Sequence, residues 1–415
     1  MIDRALLRER PDYCKQLVNK KDPLFPIDRL LVLEHDVYER ARDIEQLRHE
    51  KNILAQRGAQ MRTDEALRKQ ARALHDQLAA KETELKEIEA TFYDLYLRCP
   101  NLPDEDVPAG GKGANAVVKI WSEKPVFSFE PLHHVALNEK LGFFDFQAGA
   151  RMTGSQFVFY KNQGAKLIYA LGLYMMRHNQ KYGYELVLPP YLVNEAALVG
   201  ASNFPRFRDA VYEIKDDNLF LTPTAEVNLT GLYRDHIFLH AALPVRHTAW
   251  TSCFRREAGT YGAHERGLIR VHQFEKVELY TICAPEQARE EHDRMVSCAE
   301  ELLQGLGLHY RISLLAAQDS SFAASKTYDI EVWMPGQKAY YEVSSSSNCS
   351  SFQARRSAIR YRNEVGERTE YVVTLNTSSL AMPRLLVALM ETYQQPDGSV
   401  IFPPVLKHFM QIIEG

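Results

Sequence analysis

Arg255, Glu257, Phe274 and Glu278 fall in two stretches that read as returning strands, Cys253-Phe254-Arg255-Arg256-Glu257-Ala258-Gly259 and His272-Gln273-Phe274-Glu275-Lys276-Val277-Glu278. Residues two apart on a strand share a face, so Arg255 should pair with Glu257, and Phe274 and Glu278 should point the same way. Such a surface suits a nucleotide. The ring can stack on a base, Glu257 can accept from an exocyclic amine, and the planar fork of Arg255 can bridge phosphate and carboxylate oxygens. A salt-bridged hairpin without a ligand explains the same spacing, because ion pairs across antiparallel strands are common.

Three further segments carry chemistry of the same kind. Thr222-Pro223-Thr224-Ala225-Glu226 offers a hydroxyl and a carboxylate able to seat an ammonium group, or it is simply a helix start capped by threonine. Tyr341-Glu342-Val343-Ser344-Ser345-Ser346-Ser347-Asn348-Cys349 sets a serine run directly behind a strand pattern. A serine run alone suggests a linker. Beside Glu342, however, its hydroxyls complete the hard oxygen set that Mg2+ takes when it is shared with phosphates. Leu375-Asn376-Thr377-Ser378-Ser379-Leu380 leads into a helix at Ala381 to Glu391, with the serines as candidate N-caps. Arg384 in its first turn can reach a polyphosphate, or it is an ordinary exposed arginine.

The elements that must position these residues follow from periodicity. Leu67, Ala71, Leu74, Leu78, Lys81, Leu85, Ile88, Phe92 and Leu95 recur in steps of four and three, a coiled-coil seam. Leu30, Leu33, Val37, Ile44, Leu47 and Leu54 hold a weaker seven-residue phase, interrupted by Arg40 and Lys51. The polar stretch from Arg57 to Asp64 separates the two, so an antiparallel two-helix arm is expected over about 28–98. Residues 40–72 carry nine basic and five acidic side chains, whereas 73–98 carry three and six. The basic outer half fits a phosphate backbone, although charge also merely solvates coiled-coil exteriors.

The Pro-, Gly- and acid-rich stretch after Cys99-Pro100 reads as a boundary. The expected organisation is an N-terminal domain over 1–100, a linker over 101–117 and a second domain over 118–415. In that second domain a helix is expected at Lys166 to Lys181. Strands are expected at Leu186 to Leu188, His247 to Arg256, His272 to Cys283, Lys326 to Met334, Ala339 to Ser345 and Glu370 to Asn376. Hairpin turns such as Pro335-Gly336-Gln337 make the sheet mainly antiparallel, so the fold class is α+β. Neither GxGxxG after a strand nor GxxxxGK[ST] occurs, so any ATP site is built differently.

Composition bounds the rest. With 415 residues, 45% hydrophobic and 25% charged, the chain is globular and long enough for two or three domains. No run of eighteen apolar residues occurs, so no membrane span is expected. The opening Met1-Ile2-Asp3-Arg4 shows no secretory or transit signal, which makes the cytosol the expected compartment. Six cysteines without a CxxC favour reduced structural thiols and no zinc. A net charge of −4 means that a nucleic-acid partner needs a local basic surface.

Taken together and in this order, FRREAG, GLIR followed by HQFEKVE, PTAEV, KTYDIEVWMPGQ, the EVSS to FQARR stretch, the SLAMPR helix and ETYQQPDG resemble the bacterial-type seryl-tRNA synthetases, which are class II aminoacyl-tRNA synthetases. The resemblance covers essentially the whole chain. It implies a helical tRNA-binding arm before a class II catalytic domain, with L-serine, ATP and tRNA(Ser) as substrates and tRNA(Sec) left open as a second acceptor. It implies that Thr224, Ala225 and Glu226 help bind serine, with Arg255, Glu278 and Ser378 completing the pocket. Arg255 would meet the α-phosphate, Glu257 the adenine amine and Phe274 the adenine face, while Arg270 and Arg384 hold the distal phosphates. Arg256, Val271, Val343 and Ser344 would belong to the same ATP site, Glu342 and Ser345 would serve Mg2+, and Arg255 and Arg384 would be catalytic. Arg57, Arg62, Arg68 and Arg72 would meet the tRNA, and Leu186 to Leu192, with Pro189 and Pro190, would build a homodimer.

Three positions depart from the family pattern. Thr377 and Ser379 stand where glycines are more usual, and Ser346 replaces a commoner cysteine. No charged group is lost by them, so their effect is expected on fine geometry. Two other classes remain as alternatives: a synthetase homologue that loads a carrier protein, and a catalytically dead coiled-coil binding protein.

Overall fold

The computed structural model describes residues 1–60, 65–258 and 267–414, and it divides into two compact units, Met1–Leu102 and Pro103–Gly415. Arg62, Gly259 and the centre of the arm's turn lie outside the described residues.

In the first unit, Asp3 caps helix Arg4–Glu9 by accepting from Ala5 N at 2.8 Å, and Pro11 opens helix Pro11–Lys21, where a missing N–H costs nothing. Both pack on the base of two long helices, Ile27–Gln60 and Glu65–Leu97, around Leu7, Val18, Leu30, Val37, Phe92 and Tyr96. Two of the polar interruptions, Arg40 and Lys81, are answered across the pair, and Arg48 adds a further ion pair between the helices. Lys81 reaches Asp43 at 3.1 Å, Arg40 reaches Glu84 at 3.3 Å, and Arg48 reaches Glu82 at 2.9 Å. From Arg40–Glu84 to Asp43–Lys81 the partners run in opposite directions along the two helices, as an antiparallel pair requires. The first helix continues through Arg57 to Gln60, further than the polar composition of 57–64 suggests.

In the second unit, residues just after the boundary are already hydrogen-bonded into it: Asp104 N donates to Ser325 O, and Ala317 N to Pro108 O. Its frame is an eight-stranded sheet in the order Ala116–Trp121, Tyr310–Leu314, Lys326–Met334, Ala339–Asn348, Val373–Ala381, Gln273–Cys283, Val245–Phe254, Glu185–Leu186. Every neighbouring pair is antiparallel except the last. Helices Asn162–Lys181, Ala288–Gly305, Met382–Thr392 and Pro404–Glu414 supply a core with Leu171, Leu302, Leu385 and Leu389 against Val277, Ile330 and Leu380.

Strand Gln273–Cys283 shows how the sheet divides its two faces. Val277 and Leu279 turn into clusters under the helical layer, while Tyr280 and Ile282 pack beneath helix Ala225–Leu232. Alternation therefore puts Phe274, Lys276 and Glu278 on the same face as Tyr280. The serine run is strand rather than linker, since it lies within Ala339–Asn348. Likewise the candidate N-cap serines 378 and 379 lie within strand Val373–Ala381, and the following helix begins at Met382, with Ala381 in the cap position and no side-chain cap.

Candidate active site

The two central strands bring Glu278 opposite Ser378, and a bulge follows because Val277 pairs with Leu380. Ser379 is the extra residue, and its hydroxyl lies 3.1 Å from Asn179 Oδ1 on the helix beneath. Ser346 and Thr377, both fully buried, bond to each other through their hydroxyls at 2.6 Å. All three departures from the family pattern are thus accommodated by polar partners.

Beside Glu278 the chain closes a small polar chamber. Thr224 caps its helix by accepting from Glu226 N at 3.3 Å, and its hydroxyl also donates to Glu278 Oε2 at 3.0 Å. The capping and the binding readings of Thr224 are therefore compatible. Lys276 Nζ donates to Thr224 Oγ1 at 2.7 Å and forms an ion pair with Glu278, so the two buried charges neutralise each other. Glu226 Oε1 accepts from Gln353 Nε2 at 2.6 Å and from Asn376 Nδ2 at 3.1 Å. Although Glu226 keeps some accessible surface, its carboxyl is densely surrounded. Burial, and then the charge of Glu278, push its pKa up to about 7. A carboxyl held at that point gains by ionising when a cation arrives. Ala225 itself is fully enclosed in the apolar cluster beneath the chamber.

The chamber opens into a cleft lined by Arg255, Glu257, Arg270, Phe274, Glu342 and Arg384, with Val271, Lys276 and Ser378 also on its walls. Strand Val245–Phe254 ends one residue before Arg255, so the alternation rule does not reach Glu257. Glu257 has φ +48° and pairs with Arg270, not with Arg255. Arg255 instead lies over the Phe274 ring, 5.1 Å from its centroid, with Nε donating to Pro223 O at 3.3 Å. Cation and ring therefore share one wall of the cleft, although a different contact joins them from the one that spacing suggested. Arg384 donates through Nε to Ile269 O at 3.1 Å and through Nη1 to Glu342 O at 2.9 Å, and it pairs with the Glu342 carboxylate at 3.3 Å.

Not every expected ATP residue presents a side chain here. Val343 is in the apolar core, the Ser344 hydroxyl donates to Ser378 O, and Arg256 does not line the cleft. For a divalent ion the donor set is suitable. Glu342 and Ser345 share a strand, Ser345 stands opposite Asp329, and Asp329 Oδ1 is buried with no hydrogen-bond partner among the described residues. Hard oxygens in this number match an ion whose remaining ligands come from phosphates. Among the described residues no group of three or more His, Cys, Asp or Glu side chains gathers to hold a metal by itself.

Lys276, Gln353 and Asn376 emerge only from the structure. Lys276 left the clearest mark, a cation at the point where the strand becomes continuously buried. Gln353 and Asn376 come from separate segments and left no signal in spacing.

Known proteins share sequence and fold with this chain. Residues 1–103 match the family model of the seryl-tRNA synthetase N-terminal domain, and 211–393 match that of the tRNA synthetase class II core domain for G, H, P, S and T. A serine–tRNA ligase of Chlamydia trachomatis serovar D is 46% identical, over 99% of this chain and 97% of that protein. The seryl-tRNA synthetase of Pyrococcus horikoshii, solved with ATP, superposes with a TM-score of 0.94 at 33% identity, covering 99% of this chain and 98% of that one. A cytoplasmic serine–tRNA ligase of Naegleria fowleri, solved with AMP, gives 0.87 at 25% identity, covering 99% and 97%.

Proposed function

Since the chain belongs to the seryl-tRNA synthetases, and so activates serine with ATP and charges tRNA, we propose how its residues divide that work. The chamber of Thr224, Glu226 and Glu278 receives serine: the Glu226 carboxylate faces the ammonium, and Glu278 with Ser378 takes the hydroxyl. Phe274 stacks on adenine and Glu257 accepts from its amine. Arg255 spans the serine carboxylate and the α-phosphate, while Arg270 and Arg384 take the outer phosphates. Val271 contributes wall, while Arg256, Val343 and Ser344 support the site from behind the cleft.

The serine carboxylate is a nucleophile at pH 7 and needs no protein base. Its oxygen attacks the α-phosphorus in line, the bond to the bridging oxygen breaks, and pyrophosphate departs with the electron pair. Arg255 and Arg384 neutralise charge that grows on phosphate oxygens, so catalysis is positioning and electrostatics. Mg2+ held by Glu342 and Ser345 would add neutralising charge to the phosphates. A terminal ribose hydroxyl of tRNA(Ser) then attacks the adenylate carbonyl, and AMP leaves.

The arm supplies the RNA contacts. Arg57, Arg68 and Arg72 are exposed on its outer half, and Arg62 belongs to the same basic run. That surface fits the long variable arm of tRNA(Ser), and tRNA(Sec) would be charged through the same contacts. A homodimer is supported by the apolar side chains exposed along 186–192, with Leu188 81% and Leu186 45% accessible beside Tyr169 at 56%. All six cysteines are buried and none is in a disulfide among the described residues, which suits a reducing cytosol.

The observation that carries the serine assignment is the Glu278 carboxylate buried between Thr224 and Lys276. A site built to bond a hydroxyl rejects an analogue lacking it by roughly 10⁴ or more. Serine-dependent ATP–pyrophosphate exchange tests it. Glu278→Ala should cripple serine activation while leaving the ATP KM close to normal, and equal loss of both would place Glu278 in structure alone.

A further inference from the structure

A buried histidine that the reaction does not use ties the cleft to the helix beneath it. His134 opens helix His134–Leu141 and is fully enclosed, as is Glu391 near the end of helix Met382–Thr392. His134 Nδ1 lies 3.1 Å from Glu391 Oε1, which also accepts from the His134 main-chain N at 2.9 Å. At the other edge of the ring, Leu268 N donates to Nε2 at 3.2 Å. A backbone amide can only donate, so Nε2 carries no proton and the ring's single proton sits on Nδ1, toward the carboxylate. Glu391 Oε2 accepts from Gly336 N at 2.9 Å and Gln337 N at 3.1 Å, so the carboxylate is fixed independently of the imidazole.

Leu268 belongs to the turn Gly267–Ile269 that immediately precedes Arg270. The same turn is held a second time, because Ile269 O accepts from Arg384 Nε at 3.1 Å. Arg384 and Glu391 stand two helical turns apart, on one side of one helix. That helix therefore grips the segment at two points, directly through Arg384 and at one remove through His134. Gly267 has φ +72°, and a Cβ there would collide with His134 Nε2, so the imidazole is packed directly on the main chain.

We infer that His134 is a positioning residue: its Nε2 fixes the 267–270 segment, and with it the Arg270 guanidinium, in the geometry that receives the outer phosphates of ATP. The inference rests on the reading of Arg270 as a phosphate ligand. Two substitutions separate the two edges of the ring. In His134→Asn the amide takes the place of Nδ1 and can still donate to Glu391, but nothing reaches Leu268. In His134→Gln the carbonyl oxygen takes the place of Nε2 and can accept from Leu268.

In the full-length enzyme, His134→Asn should raise the ATP KM in pyrophosphate exchange by about tenfold, the scale of one lost buried hydrogen bond. The serine KM and the rate at saturating ATP should stay as they were, and His134→Gln should remain near wild type. Amide hydrogen exchange gives a readout that does not depend on activity. The Leu268 amide should exchange faster in His134→Asn and stay protected in His134→Gln. Equal loss of ATP affinity in both variants, or an unchanged Leu268 amide in His134→Asn, would overturn the inference. Arg270→Ala is measured alongside. If it leaves the ATP KM unaltered, the reading of Arg270 fails and takes the phosphate half of the inference with it, whereas Leu268 exchange still reports on the contact itself.

Discussion

The Arg255 guanidinium is held between the Phe274 ring and the Pro223 carbonyl, so its fork is aimed before substrate arrives. Preorganisation of that kind lowers the barrier because no dipole has to turn as charge develops. Arg255→Ala should therefore slow pyrophosphate exchange by about 10² to 10³, the scale of one lost transition-state donor. Unimpaired exchange in a folded variant would remove Arg255 from the chemistry. Glu226 leads to a second expectation at the same scale. With its pKa raised to about 7 by burial and by Glu278, the empty chamber is largely protonated below that pH. Under the proposed role of Glu226, serine binding needs the carboxylate, so the serine KM should rise as pH falls through 7, by up to about tenfold per unit, and the dependence should vanish in Glu226→Gln. The same shift sets the sign for stability. The folded chain keeps a proton that the unfolded chain releases near 4.5, so this group's contribution is full below that value and is lost as pH rises through about 7. Melting temperatures of wild type and Glu226→Gln across that window would check it.

Between elements, strands Ala339–Asn348 and Val373–Ala381 meet through the buried hydroxyls of Ser346 and Thr377. Removing one partner leaves the other without a bond in the interior, at a cost of about 1–3 kcal/mol, whereas removing both avoids that penalty. Ser346→Ala and Thr377→Val should each destabilise the protein, and the double variant should lose less than the two losses added together. Urea unfolding in a double-mutant cycle measures the coupling, and strict additivity would mean that the pair is energetically idle. This contact also shows why the serine run misleads when read alone. Serine is common in linkers because it is small and polar, yet here adjacent strands supply the partners that let its hydroxyls be buried. The Arg255–Glu257 expectation went astray for a related reason. Two residues apart share a face only while the strand continues, and this one stops at Phe254.

For the molecule as a whole, the arm and the catalytic unit are separate compact bodies, each with its own core. The first long helix alone has 34 residues, roughly 51 Å at about 1.5 Å per residue, a reach that suits a macromolecular substrate. Leu30, Val37 and Phe92 belong to the base core of the first unit, so a deletion that removes them would unfold what remains. Residues 44–80 can be cut away with that base intact, joining Asp43 to Lys81 through a short flexible linker. The shortened protein should keep serine-dependent pyrophosphate exchange and lose efficient tRNA charging. Normal charging, or joint collapse of both activities in a folded protein, would refute the assignment of the arm.

Much of this was legible in the sequence, for reasons that differ along the chain. The arm is a local object: its seam repeats every three or four residues, and its interruptions at Arg40 and Lys81 are answered by charges on the facing helix. In the second unit Glu278, Glu342 and Arg384 were singled out by the order and co-occurrence of their motifs, since the spacing of each alone fitted a purely structural reading as well. What composes the chamber was not legible. Gln353, Asn376 and Lys276 come from three elements whose contacts exist only after the sheet has assembled, and their spacing carries no period. The same holds for Glu257, whose partner Arg270 lies across the loop, and for His134, which meets Leu268 and Glu391 from a distant part of the chain. Local periodicity records which side each element buries. The partner of a buried polar group is decided by tertiary packing, because only there does desolvation make an unmatched donor or carboxylate expensive.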